Sequence, residues 1–252
     1  MRTGKMVVNG IVLRETETKE TDKILTVLTP QLGRIPLIAR GARRKNSRLA
    51  ASSQLLAYSE MTIFQRGNWY LLDDASTLQL FDGVRRDLVL LSLASYLAEL
   101  TEAVTDEGEN ATEIVPLLLN ALYALGTLGK DPRQVKAAFE LRLLALSGFE
   151  PLADGCAVCG CPDPEAPMLD VVRGVVHCGK CKEQGGLSLP LTRGALAALQ
   201  HILNCPPKRL YSFALPPKEM ELLGHAAEAF VATQLERSFR TLNYYKAVAL
   251  DP

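Results

Sequence analysis

Apolar positions in the first eighty residues recur at short, alternating intervals. Met6–Leu13 (MVVNGIVL), Ile24–Leu28 (ILTVL), Arg34–Ala39 (RIPLIA), Tyr58–Phe64 (YSEMTIF) and Trp69–Asp73 (WYLLD) are each rich in β-branched or aromatic residues, as strands that bury one face are. Thr29-Pro30, Gly41, Gly67-Asn68 and Asp73-Asp74 separate them, and residues of these types favour turns. Five short strands with no long helical period among them predict a small closed barrel or a sandwich. A five-stranded OB-type barrel has that size, and such barrels commonly bind single strands on one face and its loops.

Phe81-Asp82-Gly83 marks a change of period. Leu88, Leu91, Ala94, Ser95 and Ala98 fall on one face of a helix predicted over 85–105. A second helix is expected over 113–128, entered at Thr112 with Pro116 in its first turns. Asp131-Pro132 supplies an N-cap followed by proline at the first helical position, and Gly148 the matching stop, which brackets a third helix. Cysteine, glycine and proline interrupt the pattern over 152–190. Helices resume over 193–203 and from Lys218 to about Arg237, behind Pro216-Pro217. The expected architecture is an α+β multidomain chain. An OB-type barrel over 1–81 precedes a mainly α-helical domain over 82–252, into which the cysteine-bearing segment is inserted.

Charge adds an asymmetry to this plan. The net charge is zero, but residues 1–80 hold 12 Lys+Arg against 7 Asp+Glu, leaving 16 against 21 for the rest. The first domain is therefore basic and the second acidic. Much of the excess lies in one stretch, LGRIPLIARGARRKNSRL, where Arg34, Arg40, Arg43, Arg44, Lys45 and Arg48 occur without a single carboxylate between Gly33 and Leu49. Cations so crowded repel one another unless an anion shares them, and the commonest such partner is a nucleic-acid backbone. They sit where the third strand opens into a loop. Tyr58, Phe64, Trp69 and Tyr70 are interleaved in the same domain, and aromatics exposed on such a barrel can stack on bases. Arg237, Arg240 and Lys246, with Tyr244-Tyr245, form a weaker basic patch.

The most specific local pattern is Cys156-x2-Cys159, eighteen residues, then Cys178-x2-Cys181. Each CxxC turn sets two thiolates on one side of a tight knuckle, and two knuckles give the tetrahedral S4 set that Zn2+ prefers. One structural zinc per chain is expected, closed to substrate and water. Gly155, Gly160, Gly174 and Gly179 fall where knuckle and hairpin turns call for positive φ. Cys161 and His177 are neighbours rather than expected ligands, and Cys205 reads as a buried apolar residue. A redox pair is the competing reading of CxxC. Gly174–Cys181 (GVVHCGKC) nearly matches a P-loop, but a cysteine stands where a hydroxyl should meet magnesium, which argues against nucleotide hydrolysis.

No other catalytic constellation is evident. His177, His201 and His225 have no credible nucleophile beside them in sequence, so a binding protein without a small-molecule substrate is expected. The longest apolar run, 88–98, falls short of the roughly 20 residues of a membrane span. No export signal is recognisable near Met1, and a cytoplasmic location follows from that reading.

Gly10–Leu49 (GIVLRETETKETDKILTVLTPQLGRIPLIARGARRKNSRL) and Leu80–Leu100 (LFDGVRRDLVLLSLASYLAEL) closely resemble the RecO family of bacterial DNA-repair and recombination mediators. The likeness is carried by the Thr29-Pro30 and Gly33 turn, the Ala39–Arg44 stretch, Ser47-Arg48-Leu49 and Tyr96–Leu100. It implies an N-terminal OB fold and a helical domain with a four-cysteine zinc site. It also implies a nucleoid-associated protein, not an enzyme, that binds ssDNA and dsDNA, anneals complementary strands, partners RecR and engages the SSB C-terminal tail so that RecA can load. On that resemblance the six loop cations are assigned to DNA, and Arg133, Lys136 and Arg142 lie on a helix that could receive the SSB tail. The alternative is a zinc-ribbon RNA-binding factor with the same barrel.

Overall fold

The computed structural model describes residues 4–67, 69–181 and 186–250. Asn68 of the anticipated turn and residues 182–185 of the anticipated ribbon lie outside them. The chain divides into two compact units, 1–127 with 239–252, and 128–238.

In the first unit, β1 (Met6–Thr18), β2 (Asp22–Thr29), β3 (Gly33–Ala39), β4 (Tyr58–Arg66) and β5 (Trp69–Gln79) close a barrel in the order β1-β2-β3-β5-β4. All pairings are antiparallel except the closing one, where β3 runs parallel to β5 at Leu37↔Tyr70 and Ile38↔Leu71. Alternation puts Leu25, Val27, Ile35, Leu37, Met61 and Ile63 inside, as a period of two requires. The OB-type barrel is thus as the hydrophobic pattern predicts, but β1 and β5 run longer than predicted. Their extra residues, Arg14–Thr18 (RETET) and 74–79 (DASTLQ), are largely polar. They pair along their ladders, Glu15↔Leu25 and Thr16↔Ile24 for instance, so backbone hydrogen bonds sustain them where an apolar alternation does not.

Three helices follow in the same unit: α1 (Asp82–Arg85), α2 (Leu88–Ala103) and α3 (Ile114–Gly126). The helix expected over 85–105 is broken at Asp87, whose extended backbone and carboxylate cap α2 by accepting from the Leu90 N–H at 3.0 Å. The C-terminal residues return to this unit. Phe239 meets fully buried Tyr96 of α2 edge-on at 5.6 Å. The segment after it, which carries most of the weaker basic patch, is a helix, Arg240–Leu250, with Tyr245 buried and Tyr244 exposed.

The second unit holds a helix over Pro132–Leu146, a three-stranded sheet of Met168–Asp170, Val175–His177 and Ser188–Pro190, and two further helices, Arg193–Asn204 and Pro217–Gln234. The Asp131 carboxylate accepts from the Arg133 N–H at 2.8 Å, and Gly148 adopts φ 89° at the helix end. Both caps stand where the sequence places them.

Candidate nucleic-acid interface and metal centre

The basic loop leaves β3 at Ala39 and is a chain of turns up to Ala57, tied to the barrel at both ends. The Gly41 N–H donates to Asp22 Oδ1 at 2.8 Å and the Arg43 N–H to the Thr21 carbonyl at 2.9 Å. At the far end, Leu56 N–H donates to the Val12 carbonyl at 2.8 Å, and Val12 N–H to Ala57 at 3.1 Å. Ala42, Leu49 and Ala57 belong to the barrel core. Gly41 has φ 65°, and a Cβ added there would stand 3.2 Å from Arg44 Nε. The loop is therefore a fixed scaffold that presents its cations outward.

The six cations fall into two groups. Arg34 donates through Nε to the Thr105 carbonyl at 2.6 Å and through Nη2 to Asp106 at 2.9 Å. Arg43 pairs with Glu17 at 2.9 Å, and Arg48, well exposed, with Asp74 at 3.6 Å. Arg40, Arg44 and Lys45 are exposed and have no carboxylate within 4.0 Å among the described residues. Arg34 is also remote, because six residues of strand carry it roughly 20 Å from Arg40.

Two open clefts adjoin at the unpaired arginines. One, of about 570 Å3, is lined by Lys19, Glu20, Thr21 and Asp22 with Arg40, Gly41 and Arg44. The other, of about 520 Å3, shares Arg40, Gly41 and Arg44 and adds Asn46 to Leu49, Phe64, Leu71, Leu72 and Asp73. Of the four aromatics singled out from sequence, Tyr58 is half-buried at the start of β4, Phe64 is half-buried in the second cleft and Trp69 is exposed, whereas Tyr70 belongs to the core. Tyr70 faces inward because it pairs with Leu37 across β3–β5. Lys19 was not among the expected residues. It sits at positive φ in the hairpin between β1 and β2, in a polar stretch whose composition looks like ordinary solvated surface.

In the second unit, the Sγ atoms of Cys156, Cys159, Cys178 and Cys181 all lie within 4.8 Å of one another. A tetrahedron with metal–sulfur bonds of about 2.3 Å has edges of about 3.8 Å, and Cys159 and Cys178 are 3.9 Å apart. The donor set fits a four-coordinate metal ion. Backbone N–H groups of Cys159 and Cys178 point at Cys156 Sγ, at 3.5 and 3.3 Å. Burial pushes the Cys156 thiol up, but these N–H groups outweigh it and bring it down to about 6. Hydrogen bonding to Cys159, with burial, pushes Cys181 up to about 12. Cys161 is turned away, its Sγ on the Asp163 carbonyl at 3.2 Å. Both His177 ring nitrogens are engaged, Nδ1 at 2.9 Å from the Cys178 carbonyl and Nε2 at 2.8 Å from Ser188 Oγ. Gly160 and Gly174 have the expected positive φ; Gly155 and Gly179 do not, and are instead crowded by the carbonyls of Cys161 and Ala166.

The cations considered for an acidic tail are occupied. Lys136 is buried between Glu140 at 2.8 Å and Glu228 at 3.1 Å, Arg142 donates to the Leu203 and Cys205 carbonyls, and Arg133 chelates Asp131. Lys136 and Arg142 tie their helix to neighbouring elements, whereas Arg133 is exposed and closes on the N-cap of its own helix. No described helix is long and apolar enough to cross a membrane.

These features define an OB-barrel protein with a basic loop and a four-cysteine cluster whose geometry could hold a metal ion. The family description Recombination protein O N terminal matches residues 1–81, and Recombination protein O C terminal matches 85–243. The DNA repair protein RecO of Acetivibrio thermocellus is 30% identical over 240 residues, covering 95% of this chain and 96% of the relative. That of Symbiobacterium thermophilum is 30% identical over 244 residues, covering 94% and 95%; that of Listeria monocytogenes is 28% identical over 221 residues, covering 88% and 86%. The chain belongs to the RecO family of DNA repair and recombination proteins.

Proposed function

We propose that this protein is a recombination mediator that acts by binding rather than catalysis. It holds ssDNA and dsDNA on the barrel loop, anneals complementary strands and, with RecR and the SSB C-terminal tail as partners, helps load RecA onto SSB-coated DNA. The observation that carries this reading is the set of unpaired cations, Arg40, Arg44 and Lys45, on a loop tied down at both ends. Phosphate contacts carry no base information, as an annealer of arbitrary sequence requires. Arg43 and Arg48 join by exchanging Glu17 and Asp74 for phosphate; Arg34 contributes least, since it must give up Asp106. The barrel over 1–81 is the nucleic-acid-binding domain and 82–252 the helical one.

The metal in this reading is one Zn2+ per chain, held by Cys156, Cys159, Cys178 and Cys181. All-sulfur tetrahedral donors favour zinc, and four protein ligands leave no position for water. Its chemistry is that of a staple. Annealing of complementary oligonucleotides coated with SSB, followed by fluorescence, tests the function: salt-sensitive acceleration is expected. Preference for RNA over DNA of equal sequence, without acceleration, would contradict it.

A further inference from the structure

Strand alternation sends Leu25, Leu37, Tyr70 and Ile63 into the barrel core, so their neighbours Ile24, Ile38, Leu71 and Phe64 stand on the outer face. The ladders align these four in one row, Ile24↔Ile38, Ile38↔Leu71 and Leu71↔Phe64. Within this row Leu71 is buried and Ile24, Ile38 and Phe64 are partly buried. At its end, partly buried Phe64 shares the 520 Å3 cleft with Arg40, Arg44 and Arg48, and with Asn46. The adjoining cleft offers Lys19 and the same two arginines but no aromatic. Lys5 pairs with Asp73 at 2.6 Å, which offsets a carboxylate that lines this cleft.

We infer that the Phe64 cleft is a single-strand subsite taking one unpaired nucleobase against the Phe64 ring, with the neighbouring phosphates on Arg40 and Arg44. The inference rests on the DNA-binding reading above and adds strand discrimination to it. A duplex keeps its bases stacked and paired, so it meets the cations alone; a single strand meets the cations and the ring. The loop thereby holds unpaired strands more tightly than the duplex it produces, which favours release of the annealed product.

Binding of the full chain to three probes by fluorescence anisotropy tests this: an oligothymidylate, an abasic deoxyribose-phosphate oligomer of equal length, and a duplex. Phe64→Leu keeps the apolar volume and removes the ring. It is expected to weaken oligothymidylate binding about 5- to 150-fold, the range for losing one stacked base, while abasic and duplex binding stay unchanged and report an intact fold. Phe64→Trp is expected to retain the preference. Unchanged oligothymidylate binding by Phe64→Leu, or equal weakening on all three probes, would overturn the subsite. Wild-type protein that binds none of the probes would instead overturn the DNA-binding reading beneath it.

Discussion

Replacing Arg40 and Arg44 by alanine removes two of the three loop cations that have no carboxylate partner among the described residues, and both line the two adjoining clefts. Each neutralised phosphate releases counterions, adding about 0.7 to the slope of log affinity against log salt on single strands and about 0.9 on duplex. The double variant should therefore flatten the slope by roughly 1.4 on single strands and 1.8 on duplex. Between about 50 and 200 mM salt, its single-strand affinity should fall roughly sevenfold less than that of the wild type. Arg34→Ala is the internal control. Its guanidinium is committed to Thr105 and Asp106, so its loss should lower thermal stability and leave the slope almost unchanged. The assay is a titration of labelled oligonucleotide at a series of salt concentrations, repeated on unrelated sequences, which should all behave alike. An unaltered slope for Arg40→Ala/Arg44→Ala, or an equal flattening for Arg34→Ala, would refute the division into free and committed cations.

Cys156→Ser should lower bound zinc from one equivalent, as read by metal analysis, and loosen the second unit, because metal binding and folding are coupled; a stable variant that keeps its metal would contradict the ligand set. Lys136→Met takes the ammonium from buried Glu140 and should cost about 3–5 kcal/mol, read by denaturant unfolding. Although burial pushes the Lys136 ammonium down, Glu140 and Glu228 hold it above its ordinary value. Its folded-state contribution is therefore fully present below the unfolded pKa and is lost as pH rises through the folded one. Asp131→Ala should cost about 1 kcal/mol as a lost N-cap. The hydrogen bond from Arg133 holds the Asp131 carboxyl below its usual range, so wild type and variant should converge as pH falls through the folded pKa. Gly41→Ala should cost roughly 1–2 kcal/mol for a left-handed alanine and weaken DNA binding by displacing Arg44, whose stem lies against Gly41.

Much of this was readable from residue order because local chemistry decided it. Buried and less buried positions alternate cleanly along β3 and through the body of β4, Asp131-Pro132 announces a helix start, and the CxxC pairs fix their own spacing. The outer ends of β1 and β5 were not readable, since ladder pairing rather than burial sustains RETET and DASTLQ. The packing of the C-terminal helix beside α2 depends on Phe239 finding Tyr96, a contact no local pattern encodes. Charge was visible, but its availability was not. Arg34 and Arg40 look alike in sequence, yet one is spent on Asp106 and the other meets no carboxylate among the described residues. Lys136 and Arg142 likewise read as surface cations and serve inside the second unit.

The most direct measurement is the annealing rate of complementary oligonucleotides coated with SSB, compared between wild type and Arg40→Ala/Arg44→Ala, with duplex formation followed by fluorescence. Acceleration by the wild type that disappears in high salt and in the double variant is the expected result. Equal acceleration by the double variant, or none by a wild type that binds DNA, would contradict the assignment of annealing to the barrel loop.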